Sequence, residues 1–88
     1  VGTYREERAA TELLRLAKEN ANVITVKADV SDEESLGPLK DVLKKQGAVD
    51  ILVNNAGVIG ESSASLLELD LNKALHTLNV NSLGPMRI

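Results

Sequence analysis

The sequence predicts an α/β fold built on a parallel sheet, and three observations carry that reading. Two short runs are apolar and rich in β-branched residues, Val23-Ile24-Thr25-Val26 and Val49-Asp50-Ile51-Leu52-Val53. Both are nearly continuous rather than alternating, the pattern of strands covered on both faces. Segments of helical period flank and separate them, and such alternation implies parallel βαβ units with right-handed crossovers.

In chain order, Val1-Gly2-Thr3-Tyr4 reads as the tail of a further strand. A helix is expected from Glu6 to about Glu19, with Ala9, Ala10, Leu13, Leu14, Leu16 and Ala17 on one face. Arg8, Glu12, Arg15 and Glu19, three or four apart, form the opposite, solvated face. The strand Val23–Val26 follows. A second helix opens at Ser31-Asp32-Glu33-Glu34, where Ser31 as N-cap and Glu34 three residues on suit a capping box. Gly37-Pro38 interrupts it, so a kink or short turn is expected before the helix restarts. Gly47 suits the left-handed position at its end. The strand Val49–Val53 comes next, then a long loop from Val58 to about Leu69 holding Gly60, Ser62, Ser63, Ala64 and Ser65. A third helix begins near Asp70 as N-cap and carries Leu71, Ala74, Leu75, Leu78, Leu83 and Met86 as its apolar stripe.

Composition narrows the function classes. Eighty-eight residues fit one small domain or a piece of a larger one, and 43% hydrophobic residues suffice for a packed core. Tyr4 is the sole aromatic, so that core is aliphatic. There is no cysteine, hence no disulfide framework and no thiolate metal site. A net charge of −3 argues against a nucleic-acid surface. No apolar run approaches the roughly 18 residues of a membrane span, and no signal-peptide pattern opens the chain. A soluble, cytoplasmic protein is the expectation. The chain starts at Val1 rather than Met and stops inside a helical pattern, which suggests an internal fragment, residues 1–88, of one larger domain.

In an open α/β sheet, ligands bind beyond the carboxyl ends of the strands. Three clusters fall there: Thr3-Tyr4-Arg5, Asp29-Val30 and Asn54-Asn55-Ala56-Gly57. Parallel strands bring all three to one sheet edge. In the third, two asparagines end a strand expected to be buried, where their amides need partners. Ala56 and Gly57 remove bulk and let a ligand approach the backbone. A plain strand-ending turn explains the same residues equally well.

Val49-Asp50-Ile51-Leu52-Val53-Asn54-Asn55-Ala56-Gly57 resembles the signature of the short-chain dehydrogenase/reductase family, whose pattern there is NNAG after an aspartate and an apolar strand. Asp29-Val30-Ser31-Asp32 looks like the family's DVxD segment, and Val80-Asn81-Ser82-Leu83-Gly84 is similar to its VNxxG helix pattern. Gly2-Thr3-Tyr4-Arg5 looks like the end of its second strand. The four matches follow the family's order, cover essentially the whole chain and favour its NNAG-containing main branch.

The resemblance implies a Rossmann-like, doubly wound parallel sheet, here strands two to four with the first strand missing. It implies hydride transfer between a nicotinamide cofactor and an alcohol or carbonyl substrate. By carry-over, Asp29 contacts the adenine amino group and Val30 lines the adenine pocket. Asn55, Ala56 and Gly57 pass along the adenosine ribose and the cofactor backbone, and Asn54 is structural. Asp29 also suits a simple turn role. NAD enzymes usually end the strand before this site with a carboxylate, whereas an arginine accommodates the 2′-phosphate of NADP. No acidic residue occupies Gly2 to Tyr4 and Arg5 follows directly, so NADP is the preferred cofactor, with NAD as the alternative. Arg5 equally suits a first-turn helix residue paired with nearby glutamates.

Asn81 matches the asparagine of the family's Asn-Ser-Tyr-Lys group, whose main-chain carbonyl supports a water relay. The residue four on is Pro85, which has no N–H to give that carbonyl. A bend and a free carbonyl are therefore expected at Asn81, or else an ordinary packing kink. Asn79 and His76 carry no matching motif, and His76 reads as a solvated or packed residue.

The family's glycine-rich turn and its YxxxK pair have no match in this sequence, and Tyr4 has no lysine four residues on. The family's strand order 3-2-1-4 would leave a hole between the second and fourth strands. The 88 residues alone are thus expected to be poorly stable and inactive. Two other classes compete with this reading. One is a non-catalytic truncated dinucleotide-binding or interaction module. The other is a small receiver-like α/β domain, which leaves Asn54 to Gly57 and Asn81 unexplained. The apolar stripe of the third helix is compatible with pairing of copies as a homo-oligomer, and equally with burial on its own sheet.

Overall fold

The computed structural model describes residues 1–60 and 65–88. Strand β1 spans Gly2–Tyr4 and β2 spans Thr25–Lys27; they pair in parallel, Gly2 opposite Thr25 and Tyr4 opposite Lys27. Flanking bonds extend the ladder: Gly2 N–H donates to Ile24 O (2.8 Å) and Ala28 N–H to Tyr4 O (2.9 Å). The strand expected at Val23–Val26 thus begins two residues later and ends one residue later. The register follows from β1, whose short length limits which residues can be paired.

Helix α1, Thr11–Glu19, crosses between the two strands. A 3₁₀ turn, Glu7–Ala9, precedes it, and Ala10 (φ −104°, ψ 14°) separates the two, so the helix expected from Glu6 is broken there. Its charged face is as expected: Arg15 pairs with Glu12 at 2.9 Å and Glu19 at 2.7 Å. Gly2 permits the strand to lie close to this helix, because a Cβ there would stand 2.8 Å from Leu13 Cδ1.

The second helical region is a 3₁₀ turn, Glu34–Leu36, followed by α2, Gly37–Gln46. Gly37-Pro38 thus starts the α-helix, where proline lacks nothing it would need. The capping box at Ser31 does not form. Asp32 Oδ1 accepts from Glu34 N–H (3.1 Å), while the Ser31 hydroxyl turns back to Asp29. A carboxylate one residue closer to the helix outcompetes the hydroxyl as acceptor. Gly47, with φ at 87°, ends α2 and donates to Leu43 O (3.1 Å) as expected. Val26, Ala28, Leu36 and Leu39 are buried together, with Ile24, Val42 and Leu43 packed against them. This small aliphatic core welds α2 to β2.

Val49–Val53 is not a strand. Ile51 is 83% exposed and Val53 77%. The sheet of the described residues has only β1 and β2. A groove of about 420 Å³ separates Val1 and Thr3 from Val49, Ile51, Leu52 and Val53. A strand exists through its ladder, and across that groove the two backbones do not pair. Asn54 and Asn55 are accordingly exposed, contrary to the expected burial.

Of the long loop, Ser62, Ser63 and Ala64 lie outside the described residues. Helix α3, Leu71–Leu78, is capped by Asp70, whose carboxylate accepts from the N–H groups of Asn72 (2.9 Å) and Lys73 (3.3 Å). A π-helical turn, Asn79–Leu83, follows, then α4, Gly84–Arg87. The Gly84 N–H donates to Asn79 O, five residues back. The irregularity sits directly before Pro85, which cannot supply the next α-type donor. Gly84 is buried against Val30: a Cβ would lie 2.8 Å from Val30 Cγ2.

Candidate functional site

The loops leaving β1 and β2 open on the same side, as parallel pairing requires. They form a cleft of about 630 Å³. Tyr4 and Arg5 bound it from β1, Asp29 and Val30 from β2, and Ala56, Gly57 and Val58 from the segment after Val53. Val80, buried in the π turn, closes the floor.

Local hydrogen bonds set the β2 exit. Asp29 N–H donates to Ser35 Oγ (2.8 Å). Asp29 Oδ1 accepts from both the Ser31 N–H (2.9 Å) and the Ser31 hydroxyl (2.6 Å). Both bonds fall on one carboxylate oxygen, and among the described residues Oδ2 takes none. The Ser31 hydroxyl is the main cause of a lowered Asp29 pKa; partial burial opposes it, and the Ser31 N–H and the charges of Arg5 and His76 add to the lowering. Asp29 is therefore an anion at neutral pH, held through one oxygen.

Arg5 is half-exposed at the rim and lies 3.4 Å from Glu6, whose other oxygen meets Arg8 at 2.7 Å. These are weak surface pairs, so the guanidinium can exchange its partner at little cost. On the far lip, Asn81 ties the helix to the loop reciprocally. Val58 N–H donates to Asn81 Oδ1, and Asn81 Nδ2 donates to Val58 O, both at 2.9 Å.

Of the residues singled out from sequence, Arg5, Asp29, Val30, Ala56 and Gly57 line this one cleft. Asn55 lines an adjoining groove of about 330 Å³, which shares Thr3, Val30 and Ala56 with the cleft. Asn81 reaches the cleft only through Val58. Val58, Asn79 and Arg87 were not anticipated. Asn79 Nδ2 donates to Ser31 O (3.0 Å), and Arg87 Nη1 donates to Val30 O (2.9 Å). No spacing rule links positions 31 and 79, or 30 and 87, so only the folded chain reveals them.

A family model described as enoyl-(acyl carrier protein) reductase matches residues 1–88, the entire chain. The chain belongs to the short-chain dehydrogenase/reductase family. Several curated relatives of this chain are similar over part of their own length. An uncharacterized oxidoreductase of Thermotoga maritima is 35% identical over 82 residues, 91% of this chain and 31% of that protein. An NADP-dependent 3-hydroxy acid dehydrogenase of Schizosaccharomyces pombe is 31% identical over 71 residues, 80% of this chain and 27% of that protein. A 2-(R)-hydroxypropyl-CoM dehydrogenase of Xanthobacter autotrophicus is 44% identical over 46 residues, 51% of this chain and 18% of that protein. The chain thus spans less than a third of the length of these relatives. Among the described residues no helix is long and apolar enough to cross a membrane.

Proposed function

We propose that this chain supplies the adenosine-binding part of an NAD(P)-dependent oxidoreductase, with NADP preferred, acting on an alcohol or carbonyl substrate. The convergence of Arg5, Asp29, Val30, Ala56 and Gly57 on one cleft carries the reading. Its volume lies in the range of small-molecule sites, roughly 300–1,000 Å³.

The residues fit the group. The unbonded Asp29 Oδ2 is an acceptor of the kind an adenine amino group needs, and Val30 offers an apolar face beside it. Gly57 presents backbone without a side chain. Arg5, the cation on the cleft rim at the end of β1, is the partner for a ribose 2′-phosphate, which would displace Glu6. Charge-assisted pairs to phosphate are roughly twice as strong as neutral hydrogen bonds. Asn55, in the adjoining groove, is the proposed ribose partner. The cofactor, when bound, would supply a hydride to a carbonyl or accept one from an alcohol. Asn81 holds the Val58 lip with its side chain, and its carbonyl, which residue 85 cannot serve, is an acceptor for a relayed water. The names of two relatives support NADP: the NADP-dependent 3-hydroxy acid dehydrogenase and an NADPH-dependent 1-acyldihydroxyacetone phosphate reductase, also of Schizosaccharomyces pombe.

The test is a titration of the complete protein containing this chain with NADPH and NADH. NADPH is expected to bind more tightly. Arg5→Ala should weaken NADPH binding about tenfold, the scale of one lost charge-assisted bond, and leave NADH nearly unchanged. Tighter binding of NADH by the unaltered protein overturns the NADP preference, and binding of neither overturns the function.

A further inference from the structure

Two side chains from the far end of the chain grip consecutive carbonyls of the β2 exit loop. Arg87 Nη1 donates to Val30 O at 2.9 Å, and Asn79 Nδ2 donates to Ser31 O at 3.0 Å. The two grips are locked to each other. Arg87 Nη2 donates to Asn79 Oδ1 at 2.6 Å, and Nη1 also approaches Asn79 O at 3.3 Å. All four contacts are partly buried, which makes them stronger than the rim ion pairs. Beside them the buried Gly84 lets the helix close on Val30.

The other lip of the cleft is held from the same turn. Asn81, two residues from Asn79, bonds Val58 reciprocally. Residues two apart on a helix do not share a face, so Asn79 and Asn81 grip opposite sides. One π-helical turn therefore fixes both walls of the cleft.

We propose that Asn79 and Arg87 are positioning residues for the dinucleotide site. They set the height of the Asp29-Val30 loop relative to the Val58 lip, and through it the fit of the adenosine half. The proposal rests on the cofactor reading given above. Asn79 and Arg87 touch no ligand themselves. They act through the Val30 and Ser31 carbonyls, so their loss should be felt as weaker adenosine binding rather than slower chemistry.

The experiment uses the complete protein and two probes, NADPH and adenosine 2′,5′-bisphosphate, which is the adenosine half alone. Arg87→Met should raise the dissociation constants of both probes by the same factor, about tenfold, since it removes a charged donor from a partly buried carbonyl. The turnover number at saturating cofactor should change less than twofold. Arg87→Lys, with one point donor, should fall between the two. Asn79→Asp keeps the acceptor for Arg87 but loses the donor to Ser31 O, and should also be intermediate. Reading dissociation constants on the folded fraction separates positioning from a mere loss of stability, which would lower only the amount of active protein. If Arg87→Met does not fold, Asn79→Asp and Arg87→Lys carry the test. Unchanged dissociation constants in the folded variants overturn the proposal. So does a fall in turnover with unchanged binding. If the unaltered protein binds neither probe, the cofactor reading fails and takes this one with it; if it binds both and the variants match it, only the positioning role fails.

Discussion

At the scale of single residues, the site depends on how local bonds hold one carboxylate. Asp29 has its pKa lowered chiefly by the Ser31 hydroxyl. A lowered folded value means that ionised Asp29 stabilises the loop fully above the ordinary carboxylate pKa, and that this support is lost as pH falls through the lowered value. The protection factor of the Ser31 amide against hydrogen exchange should therefore be flat around neutrality and decline under acid. Asp29→Asn, which keeps an acceptor without the charge, should remove that acid decline; the same decline in the variant would show another group to be responsible. Asp29 was readable in the sequence because its position follows a strand. Its partner was not: Ser31 suited an N-cap, and only the nearer Asp32 carboxylate, taking Glu34 N–H, explains why the hydroxyl is free to turn to Asp29.

At the scale of elements, the signals that stood in the sequence are those carried by backbone chemistry. Gly47 and Asp70 end and begin helices where their residue types demand it. Pro85 marks the departure from α geometry one turn ahead of it. Asp70→Ala should cost about 1 kcal/mol of stability, the usual worth of an N-cap, and Asp70→Ser should restore most of it. Urea denaturation of the complete protein measures both; equal midpoints for the Ala and Ser variants would count against the cap. What the sequence could not supply is pairing. Val49–Val53 has strand composition, yet β-propensity expresses fit to a sheet surface rather than a property of the backbone alone. Across the groove from β1 there is no neighbour to fit, and the segment stays exposed.

At the scale of the whole molecule, the dimensions are those of an incompletely closed body. The radius of gyration is 15.6 Å, against about 12 Å expected for a compact chain of this length. The solvent-accessible surface is 6857 Å², against about 5,000 Å² for a folded monomer of 9.4 kDa. Six hydrophobic residues form the buried set among the described residues, whereas Ile51, Val53, Ile59, Leu67 and Met86 are each more than three-quarters exposed. The 88-residue polypeptide in isolation is therefore expected to melt broadly and to bind a hydrophobic dye at room temperature. A sharp calorimetric transition without dye binding would contradict this. The alternation of strand and helix was legible because it is written in local periodicity. The open groove follows from long-range pairing, which no window of the sequence contains.

The π turn has one more consequence. It inserts a phase step into an otherwise α-helical stretch, so that Arg87 meets the Val30 carbonyl only because the helix is out of step by one residue. Each residue turns an α-helix by about 100°. With the same number of residues, a regular α-helix in place of the π turn would carry Arg87 round by about that angle, away from the loop it holds. A substitution that straightened the turn would therefore change which way Arg87 faces, as well as how firmly the two walls are held. Within this stretch Asn79 and Asn81, whose side chains hold the walls, should be the positions least open to substitution.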